Sequence, residues 1–358
     1  MKWLYQKPPA DALRRLRARH GLSEPAAHLL SRLELPDEDA TRAFLKPRLA
    51  NLSDPFRMGG VEAAVDRLHR VLRRGEKVCV LGDYDVDGVT STTLLVDGLR
   101  TFGCFPRYFV PLRQDEGYGL SEAAVDRVLE EGEPDLFIAL DCGTNAAGQI
   151  ARLRERGIDV LIIDHHRAKD EPLAEAILVN PHVLDAGDAP WRDLCTVGLV
   201  FKVLHALVKR LRGEGDDVAK GLRLKDFLDL VALGTIADLV PLSGENRILT
   251  HAGLRRLMRS QRPGMVALLH VCGIEPSQPI EPADISFKIG PRINASGRLA
   301  DAAAPVGMFL CAEPGNCHEA AIELDRMNRE RREIERGISE DAARQANGTE
   351  ASGVVVYG

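Results

Sequence analysis

The chain has 358 residues, of which 28% are charged and 45% hydrophobic, and it carries a formal net charge of −6. This length predicts two or three domains, and the apolar fraction excludes a wholly disordered chain. No apolar run reaches the ~18 residues of a transmembrane helix. The N-terminus lacks the apolar core of a signal peptide. The seven cysteines are never spaced C-x2-C, so we predict a cytoplasmic protein without a zinc ribbon.

The first half of the chain alternates between helical and strand patterns. Residues 1–55 contain short helical patterns and predict an N-terminal cap. Apolar residues at helical spacing then predict helices over 62–76, 90–103, 121–132 and 150–157. Between them, apolar runs predict strands at the start of 77–88 and over 106–112, 135–143 and 159–166. Such alternation is typical of βαβ units, in which the strands form a parallel sheet.

The second half is predominantly helical after a Pro- and Asp-rich loop at 170–192. Helical segments are predicted over 197–213, 224–242, 251–260 and 263–273, and one long charged helix over 315–345. We therefore predict the α/β class: a mostly parallel open sheet with helices on both faces, followed by a helical region and a long linker helix. The predicted boundaries are a cap over 1–55, a main domain over 56–310, a connecting helix over 311–350 and a further strand beginning in 351–358.

Acidic or imidazole side chains follow three of the predicted strands. In a parallel open sheet, ligands bind beyond the carboxyl ends of the strands, so these side chains should meet in one crevice. A further Asp interrupts the apolar segment LVALGTIADLVPL, where an unpaired carboxylate would be costly. The candidate residues are Asp83, Asp85, Asp87, Asp141, Asp164, His165, His166 and Asp238.

This clustering predicts a centre for divalent cations. Crowded carboxylates repel one another, and bound cations remove that repulsion. Oxygen ligands mixed with imidazole favour Mn²⁺ over Mg²⁺, and two metals are the usual clamp for attack of water on a phosphoryl centre. Any one Asp taken alone is more often a helix N-cap or turn residue. DYDVDG also imitates a calcium loop, but the twelfth position is Leu94 and not Glu.

Several motifs together resemble a known family. GDYDVDG, LDCG and Asp164-His165-His166 resemble the DHH phosphoesterase superfamily, and ALGTIADLVPL, PLRQDEGYGL and GPRINASGRL narrow the resemblance to RecJ. It covers roughly residues 40–345. RecJ proteins are 5′→3′ exonucleases of single-stranded DNA in repair and recombination, so the resemblance implies a metal-dependent hydrolase in which 56–310 is the DHH domain.

The resemblance also assigns roles to the acidic residues. It implies that Asp85, Asp87, Asp141, His165 and Asp238 are metal ligands, with Asp141 as the bridge between two cations. Other DHH enzymes carry a His four residues before the first Asp of the D-x-D pair, where this chain has Leu81; Asp83 is expected to fill that role. His166 and Asp164 are the expected catalytic pair, with His166 facing the substrate and Asp164 orienting an imidazole.

A second set of residues is expected to hold the substrate. GPRINASGRL is interpreted as a loop whose small residues let donors approach a phosphate closely. An ordinary surface turn is the alternative. Tyr118 could stack on a base or pack in the core. The implied substrate-binding residues are Arg113, Tyr118, Arg292, Asn294, Ser296 and Arg298.

The resemblance further implies cofactors, partners and rivals. We expect two divalent cations, Mn²⁺ preferred with Mg²⁺ as the alternative. The expected partners are single-stranded DNA, a single-strand-binding protein and a helicase, with no membrane. The terminal GVVVYG resembles the first strand of a DHHA1 domain, so the DHHA1 domain and OB-fold are expected to be missing. The rival functions are an oligonucleotide or cyclic-dinucleotide phosphodiesterase, an inactive DHH scaffold at the replication fork, and an inorganic pyrophosphatase.

Overall fold

The computed structural model describes residues 8–33, 35, 37–111, 117, 119–169, 175–275, 278–299, 302–346 and 355. The chain divides into two compact units, Met1–Leu52 and Ser53–Gly358. Within the described ranges, no helix combines the length and hydropathy needed to cross a bilayer.

The described residues of the first unit form three short α-helices, and each begins or ends at a local signal. They are α1 (Ala10–His20), α2 (Glu24–Ser31) and α3 (Glu38–Leu45). The side chains of Ser23 and Asp37 accept hydrogen bonds from the first turns of α2 and α3, which satisfies backbone donors that a helix start leaves unpaired.

The second unit is built on a five-stranded sheet with helices before, between and after the strands. The strands are β1 (Val78–Gly82), β2 (Arg107–Phe109), β3 (Leu136–Leu140), β4 (Asp159–Ile163) and β5 (Ile177–Val179). The helices up to β5 are α4 (Val61–Arg74), α5 (Val86–Thr101), α6 (Glu122–Glu130) and α7 (Ala147–Glu155). Those after it are α8 (Pro181–Leu184), α9 (Thr196–Gly213), α10 (Asp217–Gly221), α11 (Leu228–Ala237), α12 (Gly244–Leu257), α13 (Pro263–Val271), α14 (Pro282–Asp284), α15 (Gly290–Leu299), α16 (Ala304–Leu310) and α17 (Pro314–Ala346).

All four strand pairs of the sheet are parallel, in the order β2-β1-β3-β4-β5. The chain leaves β1 toward one edge to form β2 and then returns to the other side of β1 to form β3. This reversal is a topological switch point, where open α/β sheets bind ligands. The switch point therefore lies between the carboxyl ends of β1 and β3.

Helices cover both faces of this sheet, as the fold class predicted. Helices α6 and α7 bury one face in an apolar core that includes Phe137, Val128 and Leu153. Helices α4, α5 and α9 contact strands from the other side. All residues of β1 and β3 are buried, which explains why these strands appear in the sequence as continuous apolar runs.

Several predicted elements differ from the structure. The predicted loop 170–192 contains β5 and α8; β5 has only three residues, too few for a recognisable pattern. Helix α5 begins at Val86, four residues earlier than predicted, because Asp85 caps it by accepting a hydrogen bond from Gly88 N. The predicted loop GPRINASGRL is helix α15, which directly follows a π-helical turn over Ile285–Ile289.

The helix α15 forms despite the low helix propensity of its Gly, Asn and Ser residues. A Cβ at Gly297 would stand 2.9 Å from the Cβ of Tyr84, in the loop after β1. A glycine is therefore needed there for close packing, and tertiary contact outweighs local propensity. As a result α15 lies directly on the DYDVDG segment.

Candidate metal centre

The sheet register brings the predicted acidic positions to one edge. Gly82 pairs with Leu140, and Leu140 pairs with Ile163, so the next residue of each strand lies in a common row. Asp83, Asp141 and Asp164 occupy this row, and their backbone N–H groups continue the sheet hydrogen bonding. Since neighbouring strands are about 4.8 Å apart, the three carboxylates are close neighbours, and each is 1% exposed.

Two helix N-termini receive the other carboxylates of DYDVDG. Asp85 caps α5, and Asp87 lies in the first turn of that helix. The Asp87 carboxylate accepts hydrogen bonds from the backbone N–H groups of Thr196 (2.7 Å) and Val197 (2.8 Å) at the start of α9. Helix N-termini favour negative charge, so this contact orients a carboxylate that is otherwise buried.

Asp141 occupies the centre of the cluster on a strained backbone. Its φ of 62° lies in the left-handed region, which Asp adopts more readily than most residues. Its Oδ1 accepts a hydrogen bond from Thr196 Oγ1 at 2.9 Å and lies 3.3 Å from His165 Nε2. Such outliers concentrate at functional sites, and here the strain turns the carboxylate toward the switch point.

Asp164 organises the loop that carries the two histidines. Its Oδ1 accepts hydrogen bonds from the backbone N–H of His165 (2.8 Å) and of His166 (3.1 Å), and lies 2.8 Å from His166 Nδ1. Its Oδ2 accepts from Thr144 N at 3.1 Å. These contacts direct Asp164 toward its own loop. The His166 side chain is 41% exposed, whereas that of His165 is 14% exposed.

The last carboxylate belongs to Asp238, the C-cap residue that follows α11. Asp238 Oδ2 lies 3.6 Å from His165 Nε2, and Asp87 Oδ2 lies 3.9 Å from the same atom. A Cβ at Gly234 would meet Thr90 Oγ1 at 2.4 Å, so a glycine is required for α11 to pack this tightly against α5. That close packing brings the end of α11 to the crevice.

Three sets of side chains at this edge have ligand atoms close enough to share a metal ion. Within each set all ligand atoms lie within 4.8 Å of one another. The sets are Asp83, Asp85 and Asp141; Asp87, His165 and Asp238; and Asp141, His165 and His166. Asp141 and His165 each belong to two sets, and of the two the Asp141 carboxylate, with its two oxygens, is the one that can bridge a pair of cations.

Buried atoms without hydrogen bonds indicate what the centre accommodates. Both carboxylate oxygens of Asp83, Oδ2 of Asp238 and Nε2 of His165 are buried and meet no partner with hydrogen-bonding geometry among the described residues. Buried polar atoms nearly always have partners. Unpaired polar atoms that lie in two neighbouring ligand sets therefore fit bound cations.

The pKa values reflect the same uncompensated negative charge. Burial and the neighbouring Asp85 and Asp141 raise the pKa of Asp83 to about 8. Burial and Asp141 raise that of Asp85 to about 7. Burial lowers the pKa of His165, but the surrounding carboxylates outweigh it and raise the value to about 10. Since metal ligands must be deprotonated, cations would compete with protons for these atoms.

Burial and charge shift three further pKa values at this edge. Burial raises the pKa of Asp87 well above its usual range and that of Asp238 to about 6. Burial also opposes ionisation of Asp164, but hydrogen bonds from His166 and Thr144 outweigh it and lower the pKa to about 2. Among these three carboxylates, Asp164 is thus the one whose pKa is lowered by hydrogen-bond donors of the protein.

The structure describes the side chains of three of the six expected substrate-binding residues, Arg292, Asn294 and Ser296. Arg113 and Tyr118 lie outside the described residues, as does the side chain of Arg298 on α15. The Arg292 guanidinium forms an ion pair with Asp325 of α17 (2.8 Å) and donates to Lys288 O. The Ser296 hydroxyl is fully buried and donates to Ile293 O. In this structure α15 turns both side chains toward the protein, and their contact with phosphate stays a prediction.

Asn294 differs from its neighbours on α15. Asn294 lies about one helical turn after Gly290 and nearly one turn before Gly297, so the three residues share one face of α15. A Cβ added at Gly290 would approach Val86, so this face is directed toward the DYDVDG segment. Its Oδ1 is buried without a hydrogen-bond partner among the described residues. Asn294 is thus the remaining described candidate of this set.

Sequence reasoning missed three polar residues that hold the centre together. Thr196 donates to Asp141, and Thr144 donates through its backbone to Asp164. Asn180, at the end of β5, is fully buried, and its Nδ2 donates to Thr144 Oγ1 and to His166 O. Asn180 in VNPH was a usable signal, since it follows an apolar triplet as the acidic residues follow their strands.

The chain is similar to known proteins over most of its length. Residues 77–235 match the model of the DHH family, N-terminal domain. The single-stranded-DNA-specific exonuclease RecJ of Salmonella typhimurium is 40% identical over 291 residues, which are 80% of this chain and 50% of that protein. The chain spans about half the length of the curated relatives it matches.

Two solved structures share the fold. A crystal structure of exonuclease RecJ bound to manganese is 33% identical, with a TM-score of 0.72, over 81% of this chain and 71% of that one. RecJ from Thermus thermophilus, in complex with Mn²⁺, is 30% identical, with a TM-score of 0.78, over 95% of this chain and 47% of that one. The five-stranded unit and its acidic edge are thus part of a fold that has been solved with a metal bound.

Proposed function

This chain belongs to the RecJ family of DHH proteins, and on that premise we propose that it is a metal-dependent exonuclease that hydrolyses single-stranded DNA in the 5′→3′ direction. The role in repair and recombination follows from the same proposal. The observation that carries it is the group of buried, unpartnered acceptor atoms at the β1/β3 switch point, together with Asp141, which is shared by two sets of ligand atoms.

We propose that this edge holds two divalent cations. Asp83, Asp85 and Asp141 would hold one, and Asp87, His165 and Asp238, with Asp141 as the bridge, would hold the other. The imidazole favours Mn²⁺, with Mg²⁺ as the alternative. When bound, such cations supply charge neutralisation at the phosphate and activation of the attacking water.

The residues of the chain perform the remaining tasks. Thr196 and the start of α9 orient Asp141 and Asp87, so the ligand positions are set before any cation binds. Asp164 holds His166 through Nδ1, and we assign Nε2 of the same ring to a substrate oxygen. Because Asp164 also raises the pKa of His166, the ring can be protonated and can donate to a phosphate oxygen or to the leaving group. His166 and Asp164 are therefore the proposed catalytic pair.

Among the rival functions, the inactive scaffold is disfavoured by the complete set of acidic residues. A scaffold that binds no cations has no use for buried carboxylates with raised pKa values, because they destabilise the fold. The short-oligonucleotide phosphodiesterase remains an outcome of the test below.

The deciding experiment is hydrolysis of single-stranded DNA labelled at its 5′ or 3′ end, with Mn²⁺, with Mg²⁺ or with chelator. We expect mononucleotides from the 5′ end, faster with Mn²⁺ than with Mg²⁺, and no hydrolysis with chelator. A dinucleotide cleaved faster than a long strand would favour the rival. Hydrolysis that persists in chelator would contradict the metal centre.

The proposed partners beyond DNA are a single-strand-binding protein and a helicase, and the proposed location is the cytoplasm. The partners rest on the family resemblance, and the location rests on the cysteine pattern of the sequence. Co-sedimentation of the chain with a single-strand-binding protein, in the presence and absence of DNA, tests the first of these interactions.

A further inference from the structure

Two exposed cations lie one and three residues after the proposed catalytic histidine. Arg167 and Lys169 are both exposed, and neither forms an ion pair with a carboxylate in the part of the chain that the structure describes. This differs from the nearby surface, where Arg154 pairs with Asp159 and Arg156 with Glu133. Many surface cations of this protein lie beside a carboxylate, whereas Arg167 and Lys169 have no such partner among the described residues.

The backbone of this segment is held from both sides. Asn145, in the loop after β3, donates from Nδ2 to Arg167 O at 3.1 Å and accepts from Lys169 N at 2.8 Å. Asn180, at the end of β5, donates to His166 O at 2.8 Å. An exposed, charged stretch is thereby fixed in one conformation. Such pre-organisation reduces the entropy lost when a ligand binds.

The segment also lies at the correct edge of the sheet. Adjacent Cα atoms are about 3.8 Å apart, so the Arg167 side chain begins next to that of His166. The pKa of His182, which lies just beyond β5, is lowered by burial, by the charges of Arg192 and His165, and also by the charge of Arg167. Arg167 therefore flanks the carboxylate cluster on its β5 side.

A polyanionic substrate needs cations at this rim. The chain is net −6, and the acidic cluster repels the phosphates that flank the one being cleaved. Cations that neutralise backbone phosphates provide most of the sequence-independent affinity for nucleic acid. Arg292 cannot supply this charge while it is paired with Asp325.

Resting on the proposed function, we propose that Arg167 and Lys169 form a subsite for the backbone phosphates adjacent to the scissile phosphate. The subsite is independent of base sequence, because it presents only charge to the strand. It sets the affinity for a polynucleotide and leaves the chemical step to the metal centre and His166. A substrate with a single phosphodiester cannot use it.

The test compares a double variant with a charge-matched control. Arg167→Ala/Lys169→Ala removes the subsite. Arg223→Ala/Lys225→Ala removes the same charge from an exposed segment that precedes α11. The 10 residues of α11 separate this segment from Asp238 by about 15 Å. Each protein is assayed with Mn²⁺ on a 5′-labelled oligothymidylate and on the p-nitrophenyl ester of thymidine 5′-monophosphate.

We expect the subsite variant to raise KM for the oligothymidylate and to leave kcat and hydrolysis of the small ester within about twofold of wild type. Loss of two phosphate contacts should lower the slope of log KM against log salt by about 1.4. The ratio of the variant's KM to the wild-type KM should therefore fall about sevenfold between about 50 and 200 mM salt. Arg167→Ala and Lys169→Ala should each lower the slope by about half of that amount, and Arg167→Lys should keep the wild-type slope. The control should match wild type.

The outcomes distinguish this subsite from the proposed function. Equal KM values and salt slopes in wild type and the subsite variant, with the strand still cleaved, would overturn the subsite alone. Loss of small-ester hydrolysis in the variant would also overturn it, because the residues would then serve the catalytic centre or the fold. Failure of the wild type to cleave the strand would overturn the proposed function and the subsite with it.

Discussion

Replacing Asp83 with Asn should make the metal-free protein more stable and less responsive to metal. Asp83 is 1% exposed, and its oxygens meet no hydrogen-bond donor with good geometry among the described residues. Burial, followed by Asp85 and Asp141, raises its pKa from 3.8 to about 8. The carboxylate is thus tolerated in the folded protein only when a proton or a cation neutralises it.

The magnitude follows from the pKa difference. At pH 7 the unfolded chain carries Asp83 ionised, whereas the folded metal-free protein keeps it protonated. pH 7 is about three pH units above the ordinary pKa, so protonating Asp83 in the folded protein costs roughly 4 kcal/mol of folding free energy, at about 1.4 kcal/mol per pH unit. Because the raised pKa belongs to an acid, the free energy of unfolding should fall as pH rises from about 4 to about 8. Asn removes this dependence, and we expect Asp83→Asn to stabilise the metal-free protein at pH 7 by roughly 2–4 kcal/mol.

The assay is urea unfolding at pH 5 and pH 7, with chelator and with Mn²⁺. Mn²⁺ at 100 times its dissociation constant should stabilise wild type by about 2.7 kcal/mol and the variant by less. Asp188→Asn is the control, because Asp188 is exposed and this substitution removes the same charge. If Asp83→Asn were no more stable than wild type in chelator at pH 7, or gained as much from Mn²⁺, the assignment of Asp83 to a cation-dependent cluster would be refuted.

Four further substitutions test the other roles. Asp141→Asn, which tolerates the left-handed backbone, should lower kcat at least about 100-fold because a ligand shared by two sets of side chains loses its charge; a variant that kept a tenth of wild-type activity would rule out the bridge. His165→Ala should weaken Mn²⁺ binding in calorimetry, whereas His166→Ala should lower kcat with Mn²⁺ affinity retained; equal losses of affinity would contradict this division. Asp164→Asn should destabilise the protein at pH 7 by about 2 kcal/mol, because an ionised acid with a lowered pKa stabilises the fold. That contribution is complete above about pH 4 and disappears as pH falls toward 2, so the unfolding free energies of wild type and variant should converge in acid, and a constant difference would be inconsistent with this account.

Much of the architecture is readable from sequence because buried parallel strands have a simple pattern. VCVLG, LFIAL and DVLII are near-continuous apolar runs, each followed at once by Asp. Since parallel strands share one direction, their ends necessarily face the same edge, and the sequence alone predicts a shared crevice for Asp83, Asp141 and Asp164. The family motifs then identify the chemistry expected there.

Side-chain partners are not encoded in such local patterns. Asp87 meets the start of α9, more than a hundred residues away in the chain, and Arg292 meets Asp325; both contacts depend on how helices pack. GPRINASGRL has the composition of a turn, but it is helical because Gly297 must pack against Tyr84.

The sequence by itself determined four of the five strands of the sheet, its helical layers and the row of acidic residues, because hydrophobic periodicity and strand direction are local properties that survive in any packing of these elements. Only the tertiary structure decided which carboxylates share a cation set, that Asp164 serves His166, and which cations remain exposed. Those outcomes depend on contacts between segments distant in the chain, where differences of a few tenths of an ångström decide between a ligand, a hydrogen bond and an ion pair.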